Sequence, residues 1–518
     1  MLKVYFMKYI SQGKQLSIDT FRSSLEGLSK SNRWVQLGDT LPWAEIELLY
    51  NDRLNNGTRG AGNKPARLII GALLIKHKMN LSDEETILAI QENPYMQYFV
   101  GLSEFTDKAV FDPTLFVTIR KRLGVTDFND MSVSLLKIQV EKARIKAEEQ
   151  LNDKDDPPPG ALPASNSDKE FTDSQGRLHK GSLKVDATCS DAEVRYPTDI
   201  DLLHDGCKVI NRYIHKLCER FFLAPPVTHY KAARSAYLEV IKLKKRSKKV
   251  IRRGKSMLLT YLIRDLRSFI NLIGVNGTQL FDSLNRHERK AAIAIIKMYY
   301  QQLQMLKDGT HTCADRIVSI FQSHIRPIVR GKSKSPTEFG AKMGASIVQG
   351  YTFIDHHSWE AYNESTDLAL QIELYHKRFG FLPAKIYADK IYMCKENRKL
   401  MKEMEIQAMG KPLGRPPKET KTQEYQAKMA EAVGERNEIE ATFGTGKRVY
   451  RANNIRAKLP ETADCWTAMC YFVKNVMKFL KELLHALIFV LKLLANTGCS
   501  SRNIFAQHKF AYAGNFKG

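Results

Sequence analysis

The chain of 518 residues has few cysteines, no long apolar run and fewer acids than bases. Its eight cysteines stand at 189, 207, 218, 313, 394, 465, 470 and 499, with no Cys-x-x-Cys pair among them. That spacing supports neither a zinc ribbon nor a secreted disulfide framework. The most apolar window, Leu483 to Leu491, is nine residues long between Glu482 and Lys492, whereas a bilayer span needs about 20. The first residues, MLKVYFMKYISQGKQL, show no apolar run followed by a small-residue cleavage site, so no signal peptide is expected. Together these absences predict a cytosolic protein with no membrane segment.

The acid deficit says most about partners. Lys and Arg number 80 against 56 Asp and Glu, a net charge of +24, and a polyanion is the leading partner class for such an excess. A hydrophobic content of 43% is that of a globular protein, and the length allows roughly two to four domains with real cores. The deficit is sharpest in residues 242–255, KLKKRSKKVIRRGK, where nine of fourteen positions are Lys or Arg and none is acidic. A charge run commonly marks only a solvated face, but one without interspersed acids suits a phosphate backbone. Lys244, Lys245, Arg246, Lys248, Lys249, Arg252 and Arg253 are therefore candidate DNA contacts.

Along the chain, residues 40–125 read as a small helical bundle. The run ARLIIGALLIKHKM follows Pro65, and Ser82 with Glu85 forms a capping box for the next helix. Asn93-Pro94 breaks the pattern, and a basic helix ends on Arg120, Lys121 and Arg122. Residues 151–178 have linker composition, rich in Pro, Gly, Ser and Asp. The alternating stretch Ser182 to Thr188 predicts a strand with Asp186 in its middle, a place Asp avoids unless it is exposed or faces a cation. Residues 201–325 are helical and basic. Two strands follow, Thr337 to Met343 and Gly350 to Asp355, joined by a short turn. A helix over Ser365 to Phe379 and a strand over Ala384 to Asp389 come next. The loop AMGKPLGRPPK carries Arg415, a candidate minor-groove contact if the loop is an extended arm. Apolar helices over Trp466 to Leu494 are expected to cover the sheet.

Glu435 to Arg448 would place Arg436, Glu440 and Lys447 along one helix face, one carboxylate between two cations. Such a face is also how an ordinary solvated helix reads. Gly444 and Gly446 inside it each cost roughly 1 kcal/mol against Ala, a cost that a closely approaching ligand would explain. Competing chemistries find less support. Gly254-Lys255-Ser256 and Gly331-Lys332-Ser333 end like phosphate-binding loops, but Lys249 and Arg326 stand where the first glycine is required. Asp355-His356-His357 has no HExxH-like helix beside it and is expected to be an unliganded polar turn.

Arg436, Glu440 and Lys447 resemble the signature that closes the active site of DDE transposases of bacterial insertion sequences. The position where that family usually has Tyr is Val433. The stretch Tyr196-Pro197-Thr198-Asp199 after Asp186, the Ala388-Asp389 to Tyr392 setting, and the "NPYxQYFxGL" and "DPxxLxxxRKRL" stretches from Asn93 and Asp112 resemble the same family. The resemblance implies an α/β chain. An RNase H-like mixed-sheet core over 179–200 and 326–500 carries an all-helical insertion at 201–325. An all-α N-terminal domain at 1–150 precedes it, and a tail at 501–518 follows. It further implies that Asp186, Asp389 and Glu440 bind Mg²⁺, as two ions for which Mn²⁺ can substitute. Arg436, Lys447, Arg448 and the basic helix through Arg120 would then contact DNA. The implied partners are double-stranded DNA, as terminal inverted repeats and target, and further copies of the chain as a dimer or larger assembly on paired ends, in a bacterial cytoplasm at the nucleoid. Two functions stay open: an active transposase, and a non-catalytic DNA-binding protein derived from one.

Overall fold

The computed structural model describes residue 25 and residues 27–54, 63–152, 170–329, 337–411 and 423–496. Most of the expected linker, the C-terminal tail, Arg415 and Gly331 to Ser333 lie outside the described residues. Two compact units divide the rest, one of residues up to 152 together with 469–496, the other of residues 170–468.

The first unit is all helical: α1 (Arg33–Thr40), α2 (Trp43–Asn51), α3 (Ala66–Met79), α4 (Asp83–Glu92), α5 (Pro94–Phe99), α6 (Leu115–Arg122) and α7 (Val125–Asn152). The α3 helix is apolar nearly all round and is buried from Leu68 to His77, as such a helix must be. The Ser82–Glu85 capping box is formed in full and opens α4. Asn93 accepts hydrogen bonds from the N–H groups of Tyr95 and Met96, so the expected break there is the start of α5, with Pro94 at its first position. His77 faces Cys470 Sγ at 3.7 Å, and burial drives its pKa down to about 3.

The second unit begins with a two-stranded ribbon, β1 (Phe171–Thr172) and β2 (Leu178–His179), and enters its main sheet at β3 (Ser182–Asp191). Five helices interrupt the sheet: α8 (Asp199–Arg220), α9 (Tyr230–Ile241), α10 (Lys248–Asn276), α11 (Gln279–Asp282) and α12 (Arg286–Asp308). They bury a core of their own around Leu203, Ile210, Tyr213, Leu262, Ile295 and Met298. The sheet resumes with β4 (Arg326–Val329), β5 (Thr337–Val348) and β6 (Tyr351–Ser358). Then come α13 (Leu368–Phe379), β7 (Lys385–Ala388), α14 (Lys395–Glu403), β8 (Gln407–Met409), α15 (Gln423–Arg448) and α16 (Pro460–Asn496).

Strand pairing runs β6-β5-β3-β7-β8, with β5 antiparallel to its neighbours and β3, β7 and β8 mutually parallel. This is the RNase H-like order. The β4 strand extends the same edge of β5 that carries β6, pairing Val329 with Thr337 and Arg326 with Gly340. The expected hairpin turns at Gln349 and Gly350, both at positive φ as a two-residue hairpin loop favours. From Met469 onward, α16 belongs to the unit of the N-terminal helices, whereas its apolar pattern alone predicts a cover for the sheet. There Phe472 packs on Phe128, ring centroids 5.5 Å apart, and Asn475 donates to Ser132 Oγ at 3.0 Å. No described helix is long and apolar enough to cross a membrane.

Candidate active site

Alternation along β3 puts Lys184, Asp186, Thr188 and Ser190 on one face and Leu183, Val185, Ala187 and Cys189 on the other. Helix α15 packs on the first of these faces. Its buried stripe, Ala432, Ile439, Thr442 and Phe443, seats it, with Ala432 against Tyr387 and Met409. Lys184 Nζ bonds both Glu435 and Glu438 of α15, locking the helix to the strand two residues before Asp186.

Parallel register does the rest. Val185 pairs with Ala388, so Asp186 and Asp389 are the next residues along adjacent strands. Arg436 of α15 then bridges, its Nη2 3.5 Å from Asp389 Oδ1 and 3.8 Å from Glu440 Oε1. Two strands and one helix thus set Asp186 beside Asp389, and Arg436 between Asp389 and Glu440. Lys447 lies two turns further along α15, and Arg448 folds back so that its Nε donates to Gly444 O at 3.3 Å. A Cβ at Gly444 would lie 3.1 Å from the Arg448 guanidinium, the mobile end of an exposed side chain that can give way.

The electrostatics are those of an under-compensated acid cluster. Burial raises the Asp186 pKa to about 6, and the charges of Asp389 and Glu364 add to it, against the Ala187 N–H and Arg436. Oxygen donors of this kind suit a hard divalent cation, which would relieve the burial penalty on Asp186. A cavity of about 80 Å³ opens beside Asp389, lined by Lys390, Lys411, Val433 and Arg436 among others. Three residues after Asp389, Tyr392 is fully buried with an unpartnered hydroxyl, and burial, with Asp186 next, pushes its pKa up.

A second set of ligand atoms gathers more tightly: those of Cys189, Asp191 and Glu338 lie within 4.8 Å of one another. Residues 189 and 191 point to the face of β3 opposite Asp186, so this group cannot share ions with the first. Asp355-His356-His357 lies on β6 and not in a turn. Arg378 holds Asp355 at 2.6 Å, Asp367 holds His356 at 2.8 Å and Asp464 lies 3.1 Å from His357.

The expected DNA contacts divide. Lys244, Lys245 and Arg246 lie in the exposed segment between α9 and α10; Lys248, Lys249, Arg252 and Arg253 are exposed on the first turns of α10. Lys121 and Arg122 are exposed at the end of α6. Arg120 is not available: it is 7% exposed and forks onto Asp83 with bonds of 2.8 and 2.6 Å. The charge pattern conceals this, because Asp83 lies 37 residues earlier on α4. Lys184 is a site residue that the motif reading does not single out, whereas Tyr392 belongs to the motif around Asp389. Lys184 has a readable signal, since it shares a strand face with Asp186.

Residues 386–477 match the family described as "Transposase DDE domain", and residues 23–122 match "Transposase domain (DUF772)". Two separate stretches of the chain are thus similar to transposase domains, one of them of the DDE kind. The first of these matches contains Asp389, Arg436 and Glu440; the second covers α1 to α6. A curated protein of Rhizobium meliloti, "Uncharacterized protein ORF8 in nfe locus", is 33% identical over 134 residues, which is 26% of this chain. The chain spans 60% of the length of that relative. No solved structure matches.

Proposed function

We propose that the protein is a metal-dependent transposase of a bacterial insertion sequence. It binds the terminal inverted repeats of its element as a dimer or larger assembly, cuts the ends, and joins the freed 3′-hydroxyl to target DNA. The observation that carries this reading is the β3–β7 register that sets Asp186 beside Asp389, with Arg436 linking Asp389 to Glu440. Asp186, Asp389 and Glu440 would hold two divalent ions, Mg²⁺ or Mn²⁺; such ions activate the attacking oxygen and stabilise the leaving one in phosphodiester chemistry.

The protein's own groups prepare that reaction. Burial makes the charge of Asp186 costly, and a bound divalent cation would offset that cost. Arg436 balances Asp389 and Glu440 and, with Lys390 and Lys411 at the neighbouring cavity, offers positive charge to a phosphate. Lys184 fixes α15, and so Glu440, against β3.

The test is strand cleavage of a linear duplex carrying the element's ends, in Mg²⁺ or Mn²⁺ against EDTA. Wild type should cut only with metal. Asp186→Asn, Asp389→Asn and Glu440→Gln should each bind DNA yet lose at least about 10²–10³ in rate. A wild type that binds the ends but never cuts would favour the non-catalytic reading, to which Val433 in place of the usual Tyr also points.

A further inference from the structure

Helix α8 ends in an unusual way. Phe222 follows its C-cap at φ +53°, in the left-handed region that favours glycine and disfavours a bulky side chain. The conformation is imposed by its neighbours. The N–H of Leu223 donates to Cys218 O at 2.8 Å, closing the helix, and both Phe221 and Leu223 pack against the helical core of the insertion. Phe222 between them is 96% exposed. A large aromatic side chain thus stands in solvent on a fixed backbone, at a position where glycine would be free of strain, and it contributes nothing to the core.

Its surroundings indicate what it meets. Arg212 and Arg220 are exposed on α8 on the way to Phe222, on a face that also carries Glu219 and the Lys216–Glu288 pair. Lys216 is neutralised by Glu288 at 2.6 Å, whereas Arg220 is oriented by donating one Nη1 bond to Ser283 O at 2.9 Å and keeps its charge. Two guanidinium groups leading to an exposed aromatic fit a phosphate backbone with a base step at its end, where apolar side chains insert and unstack the duplex.

We propose that Phe222 is a wedge that inserts between stacked bases of double-stranded DNA while the exposed guanidinium groups of Arg212 and Arg220 hold the adjoining phosphates. This deepens the transposase reading and rests on it, since it requires that DNA be the partner.

The full-length protein with Phe222→Gly separates this role from a structural one. Glycine relieves the left-handed strain, so the melting temperature should be no lower than that of wild type. Affinity for a 40-base-pair mixed-sequence duplex should nevertheless fall by about tenfold, as removal of one base–aromatic stack implies. In a second variant, Phe222→Trp, emission from the added indole should be quenched on binding the same duplex, after subtraction of the wild-type signal. Unchanged affinity in Phe222→Gly with an unquenched indole in Phe222→Trp would overturn the wedge and leave the transposase reading standing. A wild type that binds neither this duplex nor one carrying the element's ends would overturn both. Loss of self-association in Phe222→Gly, with DNA affinity intact, would assign the side chain to a contact between copies and also overturn the wedge.

Discussion

Asp199 gathers three donors on one carboxylate: Lys255 Nζ at 3.1 Å, Gln302 Nε2 at 2.9 Å and Arg316 Nη2 at 2.9 Å. Burial alone would raise its pKa, but Lys255 and the other two partners hold it below the ordinary 3.8. Asp199→Asn leaves the buried Lys255 without its charge partner and should destabilise the second unit by about 3 kcal/mol at pH 7. A depressed carboxylate stabilises fully above its unfolded pKa and loses that contribution as pH falls through its folded one. The gap between wild type and variant, read by thermal melts, should therefore narrow as pH drops below 3.8. A gap that stays constant with pH would mean that Asp199 is not ionised in the fold. In the sequence, the Tyr-Pro-Thr-Asp stretch is visible only as part of a family resemblance. Its physical role, Asp199 as the tie between α8, α10 and the turn after α12, needs partners from 56 to 117 residues away.

At the scale of elements, β3 and β5 are joined by a close approach at Gly340. A Cβ there would lie 1.9 Å from Ser190 O, so Gly340→Ala must force the two strands apart where the sheet's longest antiparallel pairing begins. Denaturant melts should show a loss of at least about 3 kcal/mol; a variant as stable as wild type would mean that the backbone there yields freely. The basic run divides within α10, between its exposed first residues and a face turned to the core. Lys255 is buried on Asp199, while Lys244, Lys245, Lys248 and Lys249 are exposed. Replacing those four by Ala should make log K against log salt shallower by about 0.9 for each phosphate that is no longer neutralised. An unchanged slope would mean that the run is only a solvated face.

Strands with strong alternation, β3 and β7, are legible in the sequence, as are the capping box of α4 and the helix bearing Glu440. The β4 strand is not, because four residues containing Pro327 carry no period to read. The buried stripe of α16 declares an apolar face but not what it packs against.

For the whole molecule, the main difference from expectation is chain assignment: α16 begins in the unit of the sheet and continues in the unit of the N-terminal helices. The matched DDE domain correspondingly crosses this division, since residues 386–477 run past Ala468. The RNase H-like order is recoverable because the two strands and the helix that carry Asp186, Asp389 and Glu440 each have their own local signal. The helical insertion hides nothing of that register, although it separates β3 from β5 by more than a hundred residues.

The central claim is that Asp186, Asp389 and Glu440 form one metal-binding site. Fe²⁺ loaded in place of Mg²⁺, then treated with ascorbate and peroxide, cuts the polypeptide within a few ångströms of the bound ion, and the fragments can be sized. Cuts near residues 186, 389 and 440 together, suppressed by excess Mg²⁺ and abolished by Asp186→Asn, are the result expected here. Cuts near 189–191 and 338 without cuts at 389 and 440 would place the metal on the opposite face of β3, with Cys189, Asp191 and Glu338, and would contradict the account.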